Sequence, residues 1–245
     1  MLPNISHERG YLIPAINSGN VDYESCAHRL SDSIRKFHPD AHITILTQEM
    51  LPYSVSEGYT NDWQCFYASP YRQTIKLEAD MLAASPIDHW WTLFETRDVV
   101  ISTGARDFYD QISSSRFYRK IFDSNDLPDV YNAITYWRFS ETSQRFFSLV
   151  RDIFSNWNKY RTLLKFPEEV PSTDVVYAMA AKIIGEEKVT LPPKLGPKIV
   201  HMKRYIIPTT SDDWTKELIW ETDPLRIQTV AQWGFFHYNI KEWQA

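Results

Sequence analysis

The sequence lacks the features that mark a secreted, membrane-spanning or zinc-stabilised protein. It contains only two cysteines, Cys26 and Cys65, and neither belongs to a C-x-x-C pair or lies near a histidine cluster. This pattern indicates neither a disulfide framework nor a structural zinc site, and it favours reduced thiols inside a cell. Residues 1–5 lack a basic segment followed by an apolar one, and no apolar run approaches the ~20 residues that span a bilayer. We therefore expect a soluble, cytoplasmic protein with no membrane attachment.

Glycine-rich phosphate-binding loops are also absent. The sequence contains neither G-x-G-x-x-G nor G-x-x-x-x-G-K-[ST], so dinucleotide-binding and P-loop functions lose their main support. The formal net charge of −5 gives no overall attraction to nucleic acid, although a local basic face can still contact phosphates. DNA is therefore not excluded as a partner.

The composition that remains is that of an ordinary globular protein with many large aromatic rings. A chain of 245 residues that is 43% hydrophobic and 23% charged can bury one sizeable core, and we expect a single domain over residues 1–245. Nine Trp, fourteen Tyr and thirteen Phe either fill that core or stack on sugars and bases. Composition alone does not separate these two uses.

The N-terminal part of the chain is patterned as strand, helix and strand. A buried strand is predicted over residues 10–16, and the apolar residues from Ala27 to Phe37 then recur at helical spacing. The β-branched run 42–47 predicts the second strand. Such a βαβ unit implies a parallel sheet with its ligand crevice at the carboxyl ends of the strands. The expected fold class is α/β, with a mostly parallel central sheet and helices on both faces.

Later segments continue to alternate between strands and helices. The polar segment from Thr103 to Ser115 is irregular, which is typical of a mobile loop over a site. The other predicted elements are a helix from Tyr71 that runs into a strand or turn by Asp80, strands over 98–102, 131–137 and 199–202, a helix over 146–157 and a helix that begins after Ser172.

Two carboxylates, Glu78 and Asp80, are the leading candidates for chemistry. Alternate side chains of an extended segment point the same way, so the pair can hold a divalent cation against a diphosphate. A solvated surface pair is the alternative. His201, on a later predicted strand, would complete the metal site as a neutral imidazole, unless it is a surface or core histidine. The nearby cations that would bind the donor diphosphate are Lys198, Lys203 and Arg204.

Five other charged residues are candidates for a functional role. Arg72 and Lys76 lie four residues apart, so on the predicted helix they share a face toward the metal site, where they bind donor phosphate or are simply solvated. Arg116 and Arg119 are interleaved with aromatic residues and are candidates for acceptor binding, with a solvated helix face as the alternative. Asp174 lies in the first turn of a helix, where it either complements the helix dipole or points into the crevice.

Taken in order, these features resemble the A-type glycosyltransferase fold, especially the retaining enzymes of family 8 and their relatives. The runs 74–81 (TIKLEADM), 127–133 (LPDVYNA) and 172–177 (STDVVY) are similar to a glycosyltransferase-like family of tailed bacteriophages. The resemblance covers most of the chain, and its motifs are specific as a set rather than one at a time.

The resemblance implies roles for individual residues. Glu78 and Asp80 stand where such enzymes have a D-x-D metal motif, and His201 stands where they have a late metal-binding histidine. Glutamate at the first position departs from that pattern by one methylene group, so Asp80 is expected to coordinate the cation while Glu78 contacts the donor's ribose or another residue. Asn132 and Asp174 are implied as catalytic residues near the transferred sugar or the acceptor.

The implied reaction moves a hexosyl or pentosyl group from a nucleoside diphosphate sugar to a hydroxyl, with Mn²⁺ or Mg²⁺ stabilising the diphosphate. Asp174 is the candidate base if the enzyme inverts, whereas Asp174 and Asn132 flank the reacting face of the sugar if it retains. The phage-like resemblance suggests hydroxymethylcytosine in phage DNA as the acceptor, flipped into the site in the host cytoplasm.

Other acceptors and other functions stay open. Protein, glycan and small-molecule acceptors are compatible with the sequence, and no obligate protein partner is expected. One alternative hypothesis is a non-catalytic phage protein that binds sugar nucleotide or nucleic acid on a degenerate version of this fold. Another is a nucleotidyltransferase, which the missing glycine-rich loop disfavours.

Overall fold

Eleven strands, eight α-helices and one short 3-10 helix (Gln48–Met50) are present in the part of the chain that the computed structural model describes. The described residues are 3–17, 21–54, 61–105, 119–192, 195–197, 199–202, 205–207, 218–222, 225–229 and 235–238. The strands are β1 (His7–Pro14), β2 (Ile43–Leu46), β3 (Tyr71–Leu77), β4 (Met81–Ala83), β5 (Val99–Thr103), β6 (Val130–Arg138), β7 (Ile199–Met202), β8 (Tyr205–Ile207), β9 (Leu218–Thr222), β10 (Leu225–Thr229) and β11 (Phe235–Tyr238). The helices are α1 (Tyr23–Phe37), α2 (Gln64–Ala68), α3 (His89–Phe94), α4 (Arg119–Ser124), α5 (Glu141–Ser155), α6 (Trp157–Leu164), α7 (Thr173–Ile184) and α8 (Glu186–Val189).

Five of these strands form the large sheet, in the order β2-β1-β3-β6-β5. β1 pairs in parallel with both β2 and β3. β6 runs antiparallel to β3 on one side and to β5 on the other, so four of the five strands share one direction. The predicted α/β class with a mostly parallel sheet is confirmed.

The N-terminal βαβ unit forms as its pattern predicts. Tyr11 and Ile13 of β1 pack into the core on one face of the sheet, and Leu12 packs into the core on the other face. Helix α1 begins after Asp22, whose carboxylate accepts the Ser25 N–H at 3.0 Å and so satisfies one of the unpaired donors of the first turn. Helices cover both faces of a parallel sheet, which explains why this strand is buried on both faces.

Helices cover both faces of the large sheet. On one face α1 and α3 contribute a cluster that includes Trp90, Trp91 and Phe94. On the other face α5 and α7 pack around Phe147, whose ring stacks on that of Phe66 with 4.6 Å between centroids. Most of the aromatic residues that the structure describes therefore fill the core, which is the commoner use of such side chains.

The helix predicted from Tyr71 to Asp80 is wrong, because residues 71–77 form the central strand β3. The spacing of four between Arg72 and Lys76 fits a strand as well as a helix, since four is a multiple of the two-residue strand period. Hydrogen bonding by β1 and β6 on the two sides decides the outcome in favour of a strand.

A smaller sheet brings the late part of the chain to the end of β3. β4 pairs antiparallel with β11, placing His237 opposite Met81, and β11 pairs in parallel with β7. On its other side β4 is tied to α1, because the Ser33 hydroxyl oxygen accepts the Ala83 N–H at 3.0 Å. β11 is thereby held beside the segment that carries Glu78 and Asp80.

The remaining strands β8, β9 and β10 form a third, antiparallel sheet. No helix within the described ranges has the length and apolar character needed to traverse a lipid bilayer.

Candidate functional site

Glu78 and Asp80 lie at the carboxyl end of the central strand of the large sheet. The Glu78 N–H donates to the carbonyl oxygen of Ala133 at 3.0 Å, so the hydrogen bonding between β3 and β6 continues one residue past β3. Met81 then begins β4. The two carboxylates are thus fixed between two paired segments, at the edge where an α/β sheet places its ligands.

The site brings together two carboxylates and one imidazole. The ligand atoms of Glu78, Asp80 and His237 all lie within 4.8 Å of one another. His237 Nε2 is 3.0 Å from Asp80 Oδ1 and 3.4 Å from Glu78 Oε2. Asp80 and His237 are largely withdrawn from solvent, whereas about a third of the Glu78 side chain is exposed at 34%. The group therefore has an opening on the Glu78 side.

Tyr131 determines which nitrogen of His237 faces the carboxylates. Its hydroxyl is hydrogen-bonded to His237 Nδ1, so Nε2 is directed at Glu78 and Asp80. The Ser102 hydroxyl donates to the carbonyl oxygen of Tyr131 and holds that residue at the start of β6. Burial lowers the pKa of His237, an effect that the charges of Glu78 and Asp174 oppose. The imidazole is therefore neutral at neutral pH and available as a ligand.

This set of donor atoms suits a divalent cation. Carboxylate oxygens are the preferred ligands of Mg²⁺ and Mn²⁺, and a neutral imidazole suits first-row transition metals. Three protein ligands with an opening on one side leave room for oxygen atoms of a second molecule. Glu78, Asp80 and His237 are thus the residues that would hold a metal.

The contact between Tyr131 and His237 leads to a prediction. Tyr131→Phe should weaken Mn²⁺ binding by about 10-fold, because outer partners that orient a ligating histidine typically change metal affinity by about 10- to 100-fold. Isothermal titration calorimetry with Mn²⁺ measures this. Tyr136→Phe is the matched control, since Tyr136 is on the same strand as Tyr131 and its hydroxyl donates to Gln73 at 3.0 Å. Equal affinities in the two variants would contradict the assignment.

Asp174 lies close to the metal-binding group. It is in the first turn of α7, is buried, and its Oδ1 accepts the Asn132 N–H at 2.7 Å. Asn132 directly follows Tyr131, the hydrogen-bond partner of His237, so this bond links Asp174 to the metal-binding group, and the Asp174 charge opposes the fall in the pKa of His237. A carboxylate in the first turn also complements the helix dipole. The position of Asp174 is therefore compatible with both a structural role in α7 and a functional role in the crevice.

Asn132 is adjacent to Asp174 but points into the interior. Its side chain is buried, with Nδ2 donating to Asp62 at 3.1 Å and Oδ1 accepting from the Thr135 hydroxyl. The catalytic roles of Asn132 and Asp174 stay predictions.

Arg72 and Lys76 do not flank the metal-binding group as the helical interpretation implied. Arg72 lies near the amino-terminal end of β3, with its Nε 3.4 Å from a Glu8 carboxylate oxygen. Lys76 is buried, with Nζ 3.1 Å from Asp62 Oδ2. Their different depths follow the burial pattern of β3, in which Arg72 is exposed and every residue from Thr74 to Leu77 is buried. Donor binding by these two residues stays a prediction.

Several predicted residues lie wholly or partly outside the described part of the chain. His201 is on β7, in register with His237 of β11, but its side chain is outside the description, so its role as a metal ligand stays a prediction. Arg119 opens α4, and its side chain is likewise outside. The positions not described at all are Arg116, Lys198, Lys203, Arg204 and most of the predicted loop over 103–115.

Four residues that the structure places at or beneath the site are not among those predicted from the sequence. His237 and Tyr131 belong to the group already described, and Asp62 lies behind it. Burial and the charge of Glu78 raise the pKa of Tyr23, which opens α1 at the same edge of the sheet. A second histidine in a late aromatic strand, FFHY, was the one available signal for His237.

Comparison with solved structures identifies the fold. No protein-family model and no curated protein matches this sequence. The galactosyltransferase LgtC, solved in complex with donor and acceptor sugar analogs, is 12% identical, with a TM-score of 0.51 over 94% of this chain and 86% of its own. Mouse xyloside xylosyltransferase 1 in its apo form is 9% identical, with a TM-score of 0.46 over 96% of this chain and 98% of its own.

The likeness to LgtC establishes the fold, and the weaker likeness to the mouse protein adds nothing to it. The chain has the A-type glycosyltransferase fold. At such low identity, function has to be argued from the residues of the site itself.

Proposed function

We propose that this protein is a metal-dependent glycosyltransferase that moves a hexosyl or pentosyl group from a nucleoside diphosphate sugar to a hydroxyl acceptor. The observation that carries the proposal is the group formed by Glu78, Asp80 and His237. It lies at the carboxyl end of β3, in a fold shared with LgtC, an enzyme solved with sugar analogs bound. The resemblance of the sequence to family 8 supports the same conclusion.

The metal-binding group supports Mn²⁺ as the cation in preference to Mg²⁺. Mg²⁺ favours oxygen ligands alone, whereas Mn²⁺ also accepts an imidazole nitrogen. When bound, the cation would neutralise the charge that develops on the departing diphosphate. The more exposed Glu78 is the residue of the three that reaches the donor most directly, and Asp80 and His237 form the buried part of the group.

Asp174 is the carboxylate that acts at the transferred sugar, either as a base or as a group facing its reacting carbon. Transfer breaks the bond between the anomeric carbon and a diphosphate oxygen, forms a bond to the acceptor oxygen and releases the acceptor proton. In an inverting enzyme Asp174 takes that proton, and in a retaining enzyme it faces the reacting side of the sugar. The side chain of Asn132 is bonded to Asp62 and Thr135, and its backbone N–H holds the Asp174 carboxylate in place.

The acceptor to test first is hydroxymethylcytosine in DNA. The runs that resemble a tailed-phage family support it, and a hydroxymethyl group offers the hydroxyl that the reaction requires. A base in a duplex has to be flipped out to reach such a site. Arg116 and Arg119 are the candidates for contact with the DNA backbone.

A turnover screen tests the proposal. Purified protein is incubated with Mn²⁺ and each common nucleoside diphosphate sugar, with and without DNA that contains hydroxymethylcytosine, and release of the nucleoside diphosphate is measured. We expect slow hydrolysis of one donor, loss of that activity with EDTA and partial recovery with Mg²⁺. Absence of turnover with every donor would reject the enzymatic function and favour the non-catalytic binding protein. Turnover that DNA does not stimulate would reject the DNA acceptor alone.

A further inference from the structure

A buried carboxylate lies behind the proposed site and accepts three hydrogen bonds. Asp62, in the turn before α2, is only 2% exposed. Its Oδ2 accepts from Lys76 Nζ and from Asn132 Nδ2, each at 3.1 Å. Its Oδ1 accepts from the Tyr177 hydroxyl at 3.2 Å. No feature of the sequence marked this residue, and no step of the proposed reaction uses it.

Each donor to Asp62 comes from an element that carries part of the site. Lys76 is on β3, two residues before Glu78. Asn132 is on β6, and its backbone N–H donates to Asp174 at 2.7 Å. Tyr177 is on α7, three residues after Asp174 and therefore on the same side of that helix. One carboxylate thus joins the strand that ends at the metal-binding group to the helix that begins with Asp174.

The charges keep this arrangement intact. The buried Lys76 ammonium lies 3.1 Å from the equally buried Asp62 carboxylate, which compensates its charge in the interior. Its Nζ lies 5.8 Å from the centre of the Tyr177 ring, which is a further favourable contact for a cation. Burial and the Asp62 charge raise the pKa of Tyr177, so its hydroxyl keeps its proton and donates. A fully bonded network in a low-dielectric interior permits few alternative arrangements.

We propose that Asp62 is a positioning residue of the transfer site, which sets the separation between the metal-binding group and the Asp174 carboxylate. It does so by holding Lys76, Asn132 and Tyr177 at once. This inference rests on the proposed function, because the separation matters only if the reacting sugar lies between the two. Asp62 itself touches neither the sugar donor nor the sugar acceptor. The core and the three side chains that donate hydrogen bonds to it enclose its carboxylate.

Tyr177→Phe tests the inference with the smallest change to the fold. It removes one hydroxyl, keeps the ring in the core and leaves the Lys76–Asp62 pair in place. We expect kcat for donor turnover to fall about 10-fold, because a misplaced catalytic group loses rate steeply. Mn²⁺ affinity and the donor KM should stay within about twofold of those of the unsubstituted protein, because the Lys76–Asp62 pair that holds β3 stays in place. The assays are run well below Tm, so that a loss of stability alone does not change kcat.

Tyr160→Phe is the matched control. Its hydroxyl also donates to an aspartate, Asp152, at 3.1 Å, but at an exposed helix surface. All three parameters should remain unchanged in that variant. A double-mutant cycle with Asp174→Asn adds a second test, because residues that act through one another are not additive. The kcat effect of Tyr177→Phe should disappear once Asp174 has lost its charge.

The possible outcomes separate this inference from the proposed function. If the unchanged protein turns over no donor, the proposed function fails and the inference fails with it. If it turns over donor and Tyr177→Phe has the same kcat, Asp62 has only a structural role and the inference alone is overturned. A parallel loss of Mn²⁺ affinity, or an undiminished effect in the Asp174→Asn background, would also overturn it.

Discussion

Asp80→Ala should lower both Mn²⁺ affinity and Mn²⁺-dependent donor turnover by more than about 100-fold. Substituting a residue that only hydrogen-bonds to a metal ligand already lowers metal affinity by about 10- to 100-fold. Asp80 is assigned as a ligand itself, so its loss should have a larger effect. It is the most buried member of the group, and its Oδ1 lies 3.0 Å from His237 Nε2. Without it, two ligands remain and the imidazole loses its nearest carboxylate. Calorimetry and steady-state kinetics on the same protein preparation measure the two effects.

The control for Asp80→Ala removes a carboxylate from the surface. Asp32 is on α1, its side chain is 77% exposed, and its contact with Arg35 is 4.0 Å long. Asp32→Ala should therefore leave metal affinity and turnover unchanged. If Asp80→Ala behaved in the same way, Asp80 would not be a metal ligand. If it lost turnover but kept Mn²⁺ affinity, the residue would act on the donor rather than on the cation.

Lys76→Met should destabilise the protein by about 3–5 kcal/mol, because removing one member of a buried ion pair leaves the other charge uncompensated. The remaining Asp62 would keep its bonds from Asn132 and Tyr177 but lose the cation 3.1 Å away. Urea unfolding with a common m-value gives the change in free energy of unfolding.

Arg72→Met is the matched control for that experiment. The two residues are four apart on the same strand, and each is in an ion pair. About half of the Arg72 side chain is exposed, at 53%, so its pair with Glu8 is screened by solvent and worth at most about 1 kcal/mol. Similar small losses in both variants would show that the Lys76–Asp62 pair does not hold the interior together.

The sequence predicted the first βαβ unit well because its signals are local. Helical spacing in α1 and β-branched residues in β2 specify the elements on their own. The segment 71–80 was assigned wrongly because its spacing suits both periods, and only pairing with β1 and β6 decides between them. That information is carried by distant parts of the chain.

The candidate site was predicted in part for the same reason. Glu78 and Asp80 are close in sequence, so their association could be predicted from the alternation of side chains in an extended segment. Their imidazole partner depends on how β11 inserts between β4 and β7, which places His237 opposite Met81. No local pattern distinguishes His237 from His201. Asp62 could not be predicted because a turn has no periodicity, and its three partners come from separate elements.

Diffraction at the manganese absorption edge, from crystals grown with Mn²⁺ and a nucleoside diphosphate, tests the metal site most directly. An anomalous peak is predicted within coordination distance of Asp80 and His237, on the side open toward Glu78, with diphosphate oxygens completing the ligands. A peak held by other residues would contradict the site, as would a diphosphate bound with no peak at these three side chains.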